Sequence, residues 1–114
     1  MAALTALALL AGLAGCGQGV SDEAQGDDPA KSAVTIEVAQ MSYSPSTVTV
    51  QVGESVTWKF DDGNVRHDVV SADGSFKSKI ADGGSYTYTF DKPGTYAYSC
   101  SLHPAMTGTV VVEG

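Results

Sequence analysis

From Ala33 to Gly114 the apolar residues recur with a period of two, and that alternation constrains the fold more than any other feature of the chain. Val34, Ile36 and Val38 alternate with polar residues, as do Val48, Val50 and Val52, then Val56, Trp58 and Phe60, then Tyr86, Tyr88 and Phe90, then Tyr96, Tyr98 and Cys100. Successive side chains of a strand point to opposite faces, so each run reads as a strand with one face in a core and the other in water. The interruptions carry turn chemistry: Ser44-Pro45, Gly53-Glu54, Asp61-Asp62-Gly63-Asn64, Asp73-Gly74, Asp82-Gly83-Gly84 and Asp91-Lys92-Pro93-Gly94. No segment sustains a helical period. Short strands at this spacing predict an all-β, antiparallel Greek-key sandwich of about seven or eight strands over residues 33–114.

What precedes that domain is of a different kind. Residues 1–15 are small and apolar and end in Leu13-Ala14-Gly15-Cys16. The stretch is too short to span a bilayer as a helix. It resembles a bacterial lipoprotein signal, which implies cleavage before Cys16 and acylation of its thiol, although the positive n-region of a secretory signal is missing. Residues 16–32 are mostly polar, with four acidic residues against Lys31 before Ala33. Too little apolar surface is available there for folding, so the segment is expected to be a flexible acidic linker spanning at most about 55 Å. The expected location is therefore exported and lipid-anchored, on the periplasmic or extracellular face of a cell membrane.

Cys100, His103 and Met106 fall within seven residues, and the other histidine of the two in the chain is His67. Singly, a Cys or a Met is most often a small hydrophobe or core filler. Jointly, a thiolate, two imidazoles and a thioether are the donor set of a type 1 copper site, three donors in a plane and a long axial Met. Cys100 shares a strand face with Tyr96 and Tyr98, so its thiol is expected to enter the core from one end of the sandwich. His103 and Met106 lie on the loop capping that end, where Pro104 and Gly108 favour a reversal. His67 is expected to open a neighbouring strand, Asp68 to Ser71.

Competing readings are weaker. Structural zinc sites take four Cys or His ligands, and Met106 argues for copper instead. Trp58 with Tyr98-x-Cys100 mimics an immunoglobulin core, but that fold's disulfide needs a second Cys on an early strand, and the chain offers only Cys16. The same count excludes a redox dithiol. Copper enzymes with a second metal centre need further histidines, so the chain is not expected to be an enzyme. A copper carrier or buffer is the alternative to electron transfer, weakened because only Met1 and Met41 remain as additional soft ligands. A net charge of −7 without a basic stripe disfavours nucleic acid. The charge suits steering toward a basic redox partner, with Asp61, Asp62 and Asp68 as docking candidates.

Val56-Thr57-Trp58, His67-Asp68-Val69-Val70, Pro93-Gly94-Thr95-Tyr96-x-Tyr98-x-Cys100-x2-His103-Pro104-x-Met106 and Gly108-Thr109-Val110 resemble the cupredoxins, specifically the plastocyanin, amicyanin and halocyanin group. The resemblance covers residues 33–114, and the short ligand loop is most similar to that of amicyanin. It implies one copper per domain, with His67, Cys100 and His103 equatorial and Met106 axial. It also implies a monomer exchanging single electrons with redox proteins such as cytochromes or membrane oxidoreductases. The exposed His103 edge would be the electron port, ringed by Leu102, Pro104 and Ala105, with Met41 and Pro45 from the facing loop. Two residues depart from the family pattern. Asp68 stands where Asn is common, and its carboxylate can accept from the Ser101 hydroxyl or amide. Leu102 stands where amicyanin and plastocyanin have Pro, which leaves a backbone N–H able to reach the Cys100 sulfur.

Overall fold

The structure is a computed structural model that describes residues 24–114, so Cys16, the expected signal segment and the first part of the linker lie outside the described residues. Among the described residues the strands are β1 (Ala24–Gly26), β2 (Ser32–Ala39), β3 (Ser42–Ser44), β4 (Thr47–Gln51), β5 (Ser55–Phe60), β6 (Val70–Ser71), β7 (Ser85–Thr89), β8 (Gly94–Ser99) and β9 (Thr107–Glu113), with a 3-10 turn at Pro29–Lys31. One sheet has the order β1-β7-β5-β2-β3 and the other β4-β9-β8-β6. Among the described residues, no helix is long and apolar enough to cross a membrane.

The all-β sandwich expected from the alternation is present, but its sheets are mixed rather than wholly antiparallel. β2 runs parallel to β5, β4 to β9 and β1 to β7, while β5–β7, β8–β9, β6–β8 and β2–β3 are antiparallel. Alternation reports which face is buried and carries no information about strand direction. Between β2 and β5 the chain crosses to the second sheet in β4, and it returns to the first beside β2 running the same way.

Two boundaries also differ from expectation. The ladder expected over Asp68 to Ser71 is confined to Val70–Ser71, and His67 is held by an isolated bridge, its N–H to Ala81 O at 3.0 Å and Ala81 N–H to His67 O at 2.9 Å. Residues 24–32, expected to be linker, are built onto the sheet: Ala24, Gln25 and Gly26 pair with Ser85, Tyr86 and Thr87. Backbone pairing to an open sheet edge requires no apolar side chains, which is why composition misses it.

The inward faces form one core around Trp58, which is fully buried. Its ring lies 5.6 Å from Phe76, 5.7 Å from Tyr86 and 5.4 Å from Tyr98, centroid to centroid. Burying an aromatic of this size contributes about 1.5–3 kcal/mol. Phe76 lies outside the alternating runs, among Ser and Lys residues, yet it contacts four tyrosine or phenylalanine rings besides the indole. Tyr98 also meets Tyr43 edge-on at 4.7 Å.

Gly108 makes room for Tyr98, because a Cβ there would stand 2.3 Å from the phenol Cζ and Oη. Gly108→Ala is therefore expected to destabilise the domain by about 1–3 kcal/mol through overpacking. Denaturant unfolding checks this, and an unchanged midpoint would show that the ring moves aside freely.

Candidate metal centre

β5 and β2 end, and β9 begins, at the end of the sandwich to which β8 delivers Cys100. The His67 bridge and the Cys100–Met106 loop both lie there. Cys100 Sγ is 3.9 Å from His67 Nδ1 and 3.5 Å from His103 Nδ1, and the three donor atoms lie within 4.8 Å of one another. The imidazole centroids are 4.9 Å apart. His67, Cys100 and Met106 are buried, whereas His103 is half-buried. The loop closes on itself, with Cys100 N–H donating to Met106 O at 3.1 Å and Met106 N–H to His103 O at 2.9 Å. The structure thus brings the Cys100 thiol and the two imidazoles together, with the histidines presenting Nδ1 toward the thiol and buried Met106 on the same loop.

Asp68 fastens this loop to the body of the protein. Its carboxylate accepts from Ser101 N–H at 2.7 Å and Ser101 Oγ at 2.6 Å, and its carbonyl accepts from Tyr43 OH at 2.6 Å. Burial, with charge on neighbouring groups as a smaller contribution, pushes the Tyr43 phenol well above its ordinary range, so it remains a donor. The expected bond between Asp68 and Ser101 is present from both the hydroxyl and the amide. Leu102 has the exposed side chain expected of the rim, but no hydrogen bond from its amide to Sγ is present among the described residues. The amides that close the loop are those of Cys100 and Met106 instead.

Asp62 carries a role the sequence reading missed. The sequence makes it a docking candidate beside Asp61 and Asp68, yet its Oδ2 lies 2.7 Å from His67 Nε2 and accepts Met41 N–H at 3.2 Å. An ionised carboxylate only accepts, which assigns the ring proton to Nε2 and leaves the Nδ1 lone pair free toward the thiol. The His67 bond first, and then the Met41 amide, hold the Asp62 carboxyl below the usual carboxylate range. Gln40 and Met41, the two-residue turn between β2 and β3, are both left-handed, with φ of 53° and 58°. That turn type normally takes Asn or Gly, so Asp62 caps a strained hairpin as well as a ligand-type ring. The spacing Asp-x4-His is the available sequence signal, and it is weak. Asp61 remains exposed; Asp62 and Asp68 point inward.

Around His103 the surface is apolar. Met41, Leu102, Pro104, Ala105 and Met106 line a shallow depression with it, and Met41 and Leu102 are each nearly half exposed. Pro45 is not part of this rim.

The fold is shared with known proteins. The chain matches the cupredoxin-like domain family over residues 3–112. It is 34% identical over 90 residues to amicyanin of Paracoccus denitrificans, covering 74% of this chain and 68% of that protein. It is 32% identical to amicyanin-alpha of Methylorubrum extorquens, covering 99% and 98%. A solved structure of oxidised amicyanin carrying a proline substitution superposes with a TM-score of 0.67 at 30% identity, covering 76% of this chain and 87% of the other. A purple cupredoxin from Nitrosopumilus maritimus superposes with a TM-score of 0.64 at 30% identity, covering 70% and 99%. This chain belongs to the cupredoxin family.

Because Asp62 has a depressed carboxyl, its bonds add stability above the ordinary carboxylate range and lose it as pH falls through the folded-state value. Metal-free Asp62→Asn is expected to be less stable than the parent at neutral pH, with the gap closing in acid. Unfolding midpoints against pH check this, and a gap independent of pH would show that the charge of Asp62 contributes nothing.

Proposed function

We infer that this chain is a type 1 copper protein that carries single electrons and is tethered by lipid to the outer face of a cell membrane. The observation that carries the reading is the convergence of Cys100 Sγ with two imidazole Nδ1 atoms within 4.8 Å, on a loop that also contains a buried Met. Thiolate with imidazole and a thioether suits copper and departs from the ligand sets of structural zinc. His67, Cys100, His103 and Met106 are the residues that would hold the copper.

Copper bound there supplies a one-electron Cu(II)/Cu(I) couple. The protein's part is to hold the donors still, so that little rearrangement accompanies electron transfer. Asp68 does this through Ser101, and Asp62 does it through His67. His103 is the proposed port, because it alone among the four donors is only half-buried and the apolar rim surrounds it. Exposed Met41 and Leu102 can exclude water when a partner docks. A redox protein such as a cytochrome or a membrane oxidoreductase fits as that partner, with the chain acting as a monomer. The net charge of −7 favours a basic docking face. The lipid tether rests on the run Leu13-Ala14-Gly15-Cys16.

Titration with Cu(II) is expected to saturate at one metal per chain with an intense visible band, and Cys100→Ser is expected to abolish that band. A Cys100→Ser protein that kept its colour would overturn the assignment. Met106→Leu is expected to keep the colour and raise the reduction potential, because loss of a weak donor disfavours Cu(II). An unchanged potential would remove Met106 from the ligand set. For the tether, Cys16→Ala is expected to move the protein from the membrane to the soluble fraction. Native protein that retained Met1 would contradict lipidation.

A further inference from the structure

The N-terminal strand enters the fold at the metal end, although the following strand, β2, starts at the far end. Ala24 pairs with Ser85, and Ser85 pairs with Lys59, next to Phe60 where β5 finishes. Four residues before Ser85 is Ala81, whose bridge partner is His67. β1 runs parallel to β7, so the chain travels from this end toward Asp27 and turns through Pro29–Lys31, and Ser32 then pairs with Ser55 at the opposite end. A chain that joined the sandwich at Ala33 would bring its tether to that opposite end.

The seating of β1 is specific. Asp27 N–H donates to Thr87 O at 2.8 Å, Thr89 N–H to Asp27 Oδ2 at 2.8 Å and Lys79 N–H to Gln25 Oε1 at 2.7 Å. Gly26 has φ of 82°, and a Cβ there would stand 2.1 Å from Thr87 O, so the close approach requires glycine. Beside Ala24 and Gln25 lie Lys79 and Ile80, the latter 48% exposed.

We propose that β1 is a strap that fixes the tether to the metal end of the domain, so that the electron port works close to the membrane plane and its partner is a membrane-bound redox protein. This rests on the lipidation of Cys16 proposed above. Seven residues lie between Cys16 and Ala24, which limits the separation of the lipidated residue and the sheet to about 29 Å. Release of β1 would move the attachment point to Ser32 and the far end of the sandwich. The strap therefore sets orientation as well as reach.

The test uses the full-length, copper-loaded lipoprotein on phosphatidylcholine vesicles doped with headgroup spin-labelled lipid. Flotation with the vesicles, and the mass of the N-terminal lipopeptide, report the anchor itself. Cu(II) is expected to relax the headgroup labels severalfold more in the parent than in Gly26→Val, or in a chain lengthened by a polar insert after Gly17, both still blue. A nitroxide on Ala24→Cys is expected to relax faster than one on Asp91→Cys, which lies at the opposite end. Equal headgroup relaxation in parent and variants that float, or equal relaxation at positions 24 and 91, would overturn the strap. A protein that does not float would overturn the anchor, and with it the membrane orientation, whatever the label at position 24 reports.

Discussion

Asp68 is the constraint on which the metal end depends. It is 2% exposed, and a carboxylate taken out of water costs several kcal/mol unless its oxygens are bonded. Both oxygens are bonded, and both donors belong to Ser101, the residue after Cys100. The Asp68 carbonyl is bonded in turn by Tyr43, which lies edge-on to Tyr98, and Tyr98 closes over Gly108. The path from the ligand loop to the centre of the core thus passes through one buried acid and two tyrosines. Hydrogen bonds to a charged group contribute about 1.5–3 kcal/mol each, enough to define the loop's position from the protein side.

The second support is Asp62, and the two acids divide the work. Asp68 positions the loop that carries Cys100, His103 and Met106, whereas Asp62 orients the ring of His67 and caps the left-handed hairpin that presents Met41. A single carboxylate thereby links the buried histidine to the exposed rim where a partner would dock. Pre-arranged donors are what a carrier needs, since the geometry must suit two oxidation states.

Much of this was legible in the sequence, for identifiable reasons. The alternation of Val, Tyr and Phe tracks burial along most of the runs, so the two-layer fold could be read from it, although Val52 is exposed and Thr57 and Thr87, on the other face, are buried. Cys100, His103 and Met106 fall within seven residues, and a short loop between strands leaves them few places to go. The Asp68–Ser101 bond follows from their directly succeeding His67 and Cys100 in the chain. What could not be read depends on contacts distant in sequence or carried by backbone. Strand direction leaves no mark on alternation, hence the parallel β2–β5 and β4–β9 pairs. The seating of β1 is a matter of amides, carbonyls and one glycine, in a segment whose composition reads as linker. Phe76 has no periodic neighbours to announce it.

Hydrogen bonds within the protein, led by those to Asp68, hold the Cys100–Met106 loop in place before any metal binds. Amide hydrogen exchange at Ser101 in the copper-free protein tests this most directly. Exchange slowed to the level of the β8 strand amides is expected, with Asp68→Ala releasing Ser101 while leaving the β8 amides protected. Exchange of the Ser101 amide at the unprotected rate until copper is added would contradict it, and would make the metal the organiser of the loop.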